Sequence, residues 1–185
     1  MCAFVRRLLV VSVAIVFPAA GVLSAASPAA ADGGLAAFLS AHRCDVVERL
    51  RMIHADPAPK DRYLVISLLA PDRGYVQCLF VEDDRRLLCE AESGFYAQAP
   101  GQPRQFRLAP DRLAALASLG FATDDTDGNY QRLIDAAGEA ADDAVADAIL
   151  SALYRGYGAR IDSRLKWAAP LAPGKGIFLR CAPVG

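Results

Sequence analysis

The chain has 185 residues, 54% of them hydrophobic, with 20 basic and 21 acidic side chains and a formal net charge of −1. That is enough apolar material for one domain with a real core, and it excludes an intrinsically disordered chain. The basic residues are scattered along the sequence, so no stripe suited to nucleic acid or anionic lipid is present.

Arg6 and Arg7 precede an apolar run from Leu8 to Phe17, and small residues ending in Ala29-Ala30-Ala31 follow before Asp32. This order predicts a secretory signal peptide over residues 1–31, cleaved after Ala31, and a periplasmic or secreted mature chain. The alternative, a single uncleaved anchor helix from Leu8 toward Ala31, is interrupted by Pro18, Gly21 and Ser24. Its strictly apolar run is also too short to span a bilayer. Cys2 precedes the apolar region and is not placed as a lipoprotein acceptor, and the arginine pair does not select an export route. Without residues 1–31 the chain keeps 18 basic and 21 acidic side chains, a net charge of −3.

An amphipathic helix is predicted from Leu35 to Ile53, because Leu35, Phe38, Leu39, His42, Val46, Leu50 and Ile53 fall on one arc. Cys44, Glu48 and Arg51 lie on its polar side, and Asp56-Pro57-Ala58-Pro59 stops it. Arg62 to Leu69 is rich in β-branched and aromatic residues and reads as a strand, turned by residues 70–74 into a second. A turn at Asp83-Asp84 would fold Gly74–Tyr96 into a hairpin that opposes Glu82 with Arg85, Phe80 with Leu87 and Cys78 with Cys89. In that register Val76, Cys78, Phe80, Leu87, Cys89 and Ala91 share a dry face, while Gln77, Glu90 and Glu92 point away.

Pro100, Gly101 and Pro103 mark residues 97–105 as a loop, and a short helix from Pro110 to Leu119 ends at Gly120. The acidic run Asp124, Asp125, Asp127 and Asn129 offers oxygens but lacks EF-hand spacing, and is read as a solvated turn before a strand at Tyr130–Ile134. A second long helix is predicted over Glu139–Tyr157, with acids at its start, an apolar stripe of Val145, Ile149, Leu153 and Tyr157, and Gly158 at its end. Ile161, Leu165 and Trp167 alternate as on a strand, and a last apolar piece runs from Ile177 to Cys181. The expected class is α+β, an antiparallel meander with helices packed on one face. The expected domain covers 32–159, with a strand and tail extension over 160–185.

Four cysteines remain after signal removal, an even number in an oxidising compartment, where three pairings exist. Cys44 with Cys181 and Cys78 with Cys89 is the preferred set; the hairpin pair could equally serve as small core residues. No Cys-x-x-Cys is present, so neither a redox site nor a zinc ribbon is indicated. His42 and His54 are the only histidines, and His42 reads as a core or boundary histidine rather than a ligand; no metal or cofactor is expected. Ser93-Gly94 lacks the flanking glycine of a nucleophile elbow, and Glu90 and Glu92 alternate as acids do on a wet strand face. No catalytic residue is assigned.

The strings RYLVISLL, YVQCLFVEDDRRLLCEAESGFY, LAPDRLAALASLGF, DGNYQRLID and VADAILSALYRGYG together resemble the TY-Chap domains, the type III secretion chaperone and YbjN-like superfamily. The resemblance implies a helix, a three-stranded meander, a second helix, a further strand and a final helix. It also implies a non-enzymatic protein that holds polypeptide partners, often as a homodimer, without a cofactor. An export signal and a cysteine-bearing tail depart from that pattern, which points to a periplasmic holding or scaffolding role. On the residues, the partner-binding candidates are Leu79 and Val81 on the open sheet face, with Phe95 and Tyr96 at the hairpin's end. The same four would be ordinary covered residues if loop 97–105 or the tail lay over them. A small-ligand envelope protein or enzyme, with a pocket between Trp167, the second long helix and the sheet, is the alternative. A structural accessory domain that only dimerises is a third.

Overall fold

A computed structural model of the chain describes residues 28–69, 74–96, 106–124, 127–136 and 139–174. The signal region up to residue 27, the turn at 70–73, the loop at 97–105, Asp125 and the tail with Cys181 lie outside the described residues. The elements in order are α1 (Pro28–Ala55), β1 (Tyr63–Leu68), β2 (Tyr75–Val81), β3 (Arg86–Ala91), α2 (Pro110–Ser118), β4 (Tyr130–Asp135), α3 (Glu139–Ser151) continued by a π-helical turn (Ala152–Gly156), and β5 (Leu165–Ala168). The class is α+β. All strand pairs are antiparallel, in the order β4-β3-β2-β1-β5.

The hairpin register is the expected one: Phe80 opposes Leu87 and Cys78 opposes Cys89, and the two cysteines form a disulfide. The predicted dry face is buried along its length, and it shares one core with Phe38, Val46, Leu50 and Ile53 of α1 and with Val145, Ile149 and Leu153 beyond. A tight hairpin turn needs positive φ at its central residues. Glu82, Asp83 and Asp84 all adopt it, at 54°, 55° and 65°, without a glycine. The Arg62 guanidinium holds this turn, donating to Asp84 Oδ1 at 3.0 Å and Oδ2 at 2.7 Å. It also donates to the carbonyls of His54, Asp56 and Ala58, so one side chain ties the open end of α1 to the hairpin.

At the other end of the sheet Tyr157 does the equivalent job. Its hydroxyl donates to Glu92 O at 2.6 Å, and its ring lies so close to Gly74 (φ 146°) that a Cβ there would meet it at 2.2 Å. The π-helical turn that presents Tyr157 was not legible in the apolar periodicity, which treats Glu139–Tyr157 as regular helix. Gly158, in the left-handed region at φ 79°, ends it as expected. Gly156 packs against Leu116 of α2, where a Cβ would meet the leucine at 2.7 Å.

Two expectations for α1 need correction. The helix begins at Pro28, upstream of Leu35 and of the proposed cleavage point. Glu48, placed on the polar side, is 4% exposed, while Asp45 and Arg49 are 3% and 1% exposed. Arg49 pairs with Asp45 Oδ1 at 2.5 Å, its guanidinium sits 4.7 Å from the Trp167 ring centroid, and Nη2 donates to Gly174 O at 3.2 Å. Arg49 is covered by Trp167 of β5 and by the Gly174 carbonyl beyond it, and periodicity within one helix carries no trace of that cover. The stretch assigned to an extension thereby supplies an edge strand of the sheet and a core residue, Ala172. Ile161, expected on that strand, is instead exposed in the turn before it.

Candidate functional site

Because side chains alternate, burying one face of β1 to β4 aims the intervening residues outward. The register aligns Tyr63, Leu79, Leu88 and Leu133 in one row across β1, β2, β3 and β4. Tyr63, Leu79 and Leu88 are half-buried and Leu133 is 40% exposed. Four strands at ~4.8 Å spacing make this an apolar stripe about 15 Å long.

Polar rows flank it on both sides. Toward the hairpin turn, Arg86 bridges Glu82 at 3.3 Å and Asp135 at 3.6 Å, beside Val81. On the other side, Glu90 lies between Gln77 and Gln131 and accepts a hydrogen bond from each amide, the Gln131 bond at 3.0 Å. These groups are paired with one another, so they frame the stripe.

Of the four sequence-predicted partner residues, Leu79 lies in the stripe and Val81 one outward position beyond it. Phe95 and Tyr96 lie past the opposite end of β3, where Glu92 pairs with Tyr75, about 20 Å along the strand from Val81. Their rings pack edge to face at 5.1 Å, and Tyr96 is 67% exposed. The structure does not bring the four together. Tyr63, Leu88 and Leu133 complete the row with Leu79 and were missed. The signal was available in part: Leu87-Leu88 puts a leucine on both faces of β3, and the hairpin register already set Leu88 opposite Leu79.

The polar residues near Tyr96 are committed to the fold. Ser93 is fully buried; its hydroxyl donates to Gly128 O at 2.6 Å and accepts from the Phe95 N–H at 3.2 Å. Asn129, expected in a solvated turn, is buried. Its amide donates to the Tyr75 hydroxyl at 2.8 Å and accepts from the Ser93 N–H at 3.3 Å. Burial pushes the Tyr75 hydroxyl above its ordinary pKa, with the Asn129 bond opposing, and burial raises Tyr157 much further. Both phenols therefore stay protonated at neutral pH. Among the described residues no three His, Cys, Asp or Glu side chains are grouped to hold a metal ion. The Arg49 guanidinium lies against the ring of Trp167, the residue named for the alternative pocket.

The Cys78–Cys89 bond suits an oxidising compartment. Among the described residues no helix is long and apolar enough to cross a membrane. No family model, curated protein or solved structure matches the chain.

Proposed function

We propose that this chain is an exported, non-enzymatic binding domain that holds a polypeptide against the outward face of its sheet, in a chaperone-like or scaffolding role. The observation that carries this reading is the stripe of Tyr63, Leu79, Leu88 and Leu133, continuous over four strands and edged by rows of paired polar groups. An apolar centre inside a polar rim is the composition of a recognition surface. A partner needs only apolar side chains spaced to meet the row, as an amphipathic helix or strand provides.

Two further features support it. The order α1, β1-β2-β3, α2, β4, α3 is the one that the TY-Chap resemblance implies. The hydroxyl and amide groups nearest the exposed aromatics, on Ser93, Asn129 and Tyr75, are engaged in holding loops together.

A photo-reactive side chain at position 133 tests the proposal, in the full precursor expressed with its own N-terminal region in a Gram-negative host. The expected result is a discrete cross-linked polypeptide from position 133, none from position 111 on α2, and loss of the adduct when Leu88→Asp is added. Equal labelling from both positions, or an adduct indifferent to Leu88→Asp in a protein that melts normally, would overturn it.

A further inference from the structure

The apolar row divides the outward face of the sheet into two flanks that differ in charge. Side chains two residues apart on a strand share a face and lie about 6.8 Å from each other. On β3 this sets Arg86, Leu88 and Glu90 in one outward column, with the cation one step to the turn side of the row and the anion one step to the other. Arg86 reaches Glu82 at 3.3 Å and Asp135 at 3.6 Å, and its Nε makes no hydrogen bond. Glu90 pairs with no cation among the described residues; its oxygens accept from the neutral amides of Gln77 and Gln131.

A cation and an anion placed evenly about an apolar row make a surface complementary to itself. Laying a second copy face to face, about a two-fold axis that runs along the row, sets each row residue over its own counterpart and reverses the strand direction. Arg86 of one copy then faces Glu90 of the other, and symmetry repeats the pair. Asp135 faces the Gln131 amide, and Val81 faces Gln77. A two-fold axis along the strands instead sets Arg86 over Val81 and Glu90 over Gln77, with neither charge paired.

We propose that two copies of this chain close on each other through this face, with Tyr63, Leu79, Leu88 and Leu133 as the dry seam and the two Arg86–Glu90 pairs fixing the orientation. The inference rests on the reading of the stripe as a polypeptide-holding surface, and it names the polypeptide that covers the stripe between clients: a second copy. Three rows across four strands amount to roughly 300 Å² of face per copy, under half of the ~800 Å² that a stable interface buries on each partner. The pairing is therefore weak and reversible, and a client displaces it.

Sedimentation of the purified chain from micromolar to millimolar concentration should show a reversible monomer–dimer equilibrium. Arg86→Glu and Glu90→Arg should each raise the dissociation constant roughly tenfold, because each turns both attractive pairs into repulsive ones. An equimolar mixture of the two variants should regain the parent's association, since one then presents two carboxylates and the other two guanidiniums. A monomeric parent, or a mixture no more associated than either variant alone, overturns the pairing. Leu133→Cys keeps the test open where a charge variant fails to fold: a short bismaleimide should join two copies at position 133, which lies over itself. It should not join them at Val81→Cys, whose counterparts are about 14 Å apart along the strands. Equal joining at both positions overturns the geometry. A dimer that captures no foreign polypeptide from position 133 strikes the holding of clients, whereas a monomeric parent that still captures one strikes only the pairing.

Discussion

On α1, Asp45, Glu48 and Arg49 are withdrawn from water, whereas on the outward face of the sheet Leu133 is 40% exposed and Tyr63, Leu79 and Leu88 are only half-covered. Charge is inside in one region and hydrocarbon is outside in the other. The difference lies in what folds over each surface. The flank of α1 receives Trp167 of β5 and the carbonyl of Gly174, while the outward side of β1 to β4 faces away from the core that the helices share. Polarity along one element states what a surface can bind; its burial is decided by segments elsewhere in the chain.

The largest effect should come from breaking the buried side of this comparison. Arg49→Ala leaves the Asp45 carboxylate without its 2.5 Å partner in a dry site, and should destabilise the fold by about 3–5 kcal/mol in urea unfolding. Replacing both members, as Arg49→Met with Asp45→Leu, should recover most of that loss. A single substitution that costs under about 1 kcal/mol would mean that water reaches the pair. Next in size is the cross-strand disulfide. Its 11-residue separation predicts a loss of roughly 2–3 kcal/mol when Cys78 and Cys89 are both replaced by Ala.

Much of the fold was readable in the sequence because its signals are local. The period-2 alternation from Val76 to Ala91 fixed the hairpin register, since a one-residue slip would expose every dry residue at once. Gly120 and Gly158 marked helix ends because a left-handed backbone at these positions excludes most side chains. The burial of Arg49 and Glu48 and the bracket made by Asn129 were not readable, because each depends on contacts between distant segments: 125 residues from Arg49 to Gly174, and 54 from Asn129 to Tyr75. The candidate site was half readable. The hairpin register paired Leu79 with Leu88, but Leu133 and Tyr63 joined the row only once β4 and β1 were set beside it.

His42 offers a smaller and pH-dependent test of the core side. Burial beside Phe38 holds its imidazole below the ordinary value of 6.5, with Asp45 opposing. The folded chain therefore resists a proton that the unfolded chain accepts. The associated stability is fully present above about pH 6.5 and is lost as pH falls through the lower folded value. Thermal melting should drop between about pH 7 and pH 5, and His42→Phe should flatten that slope. Asp142, which burial raises above 3.8, acts in the other sense at lower pH, where its protonation favours the folded chain. A slope unaltered by His42→Phe would assign the acid sensitivity to another group.

The smallest effects belong to the exposed side, and their smallness is informative. Leu133→Asp removes apolar surface that is already partly wet and adds a charge that stays solvated, so urea unfolding should move by no more than about 0.5 kcal/mol. Cross-linking from position 88 should nonetheless fall, because a carboxylate interrupts the row that a partner must cover. Tyr96→Ala should change neither quantity: its ring is 67% exposed and lies about 20 Å along β3 from the Val81 end of the hairpin. If Tyr96→Ala weakens capture while Leu133→Asp leaves it intact, recognition occurs at the Phe95–Tyr96 corner and the stripe is surface without a partner. If both weaken it, the bound polypeptide runs along β3 from the leucine row to that corner, and its length is set by the distance between them.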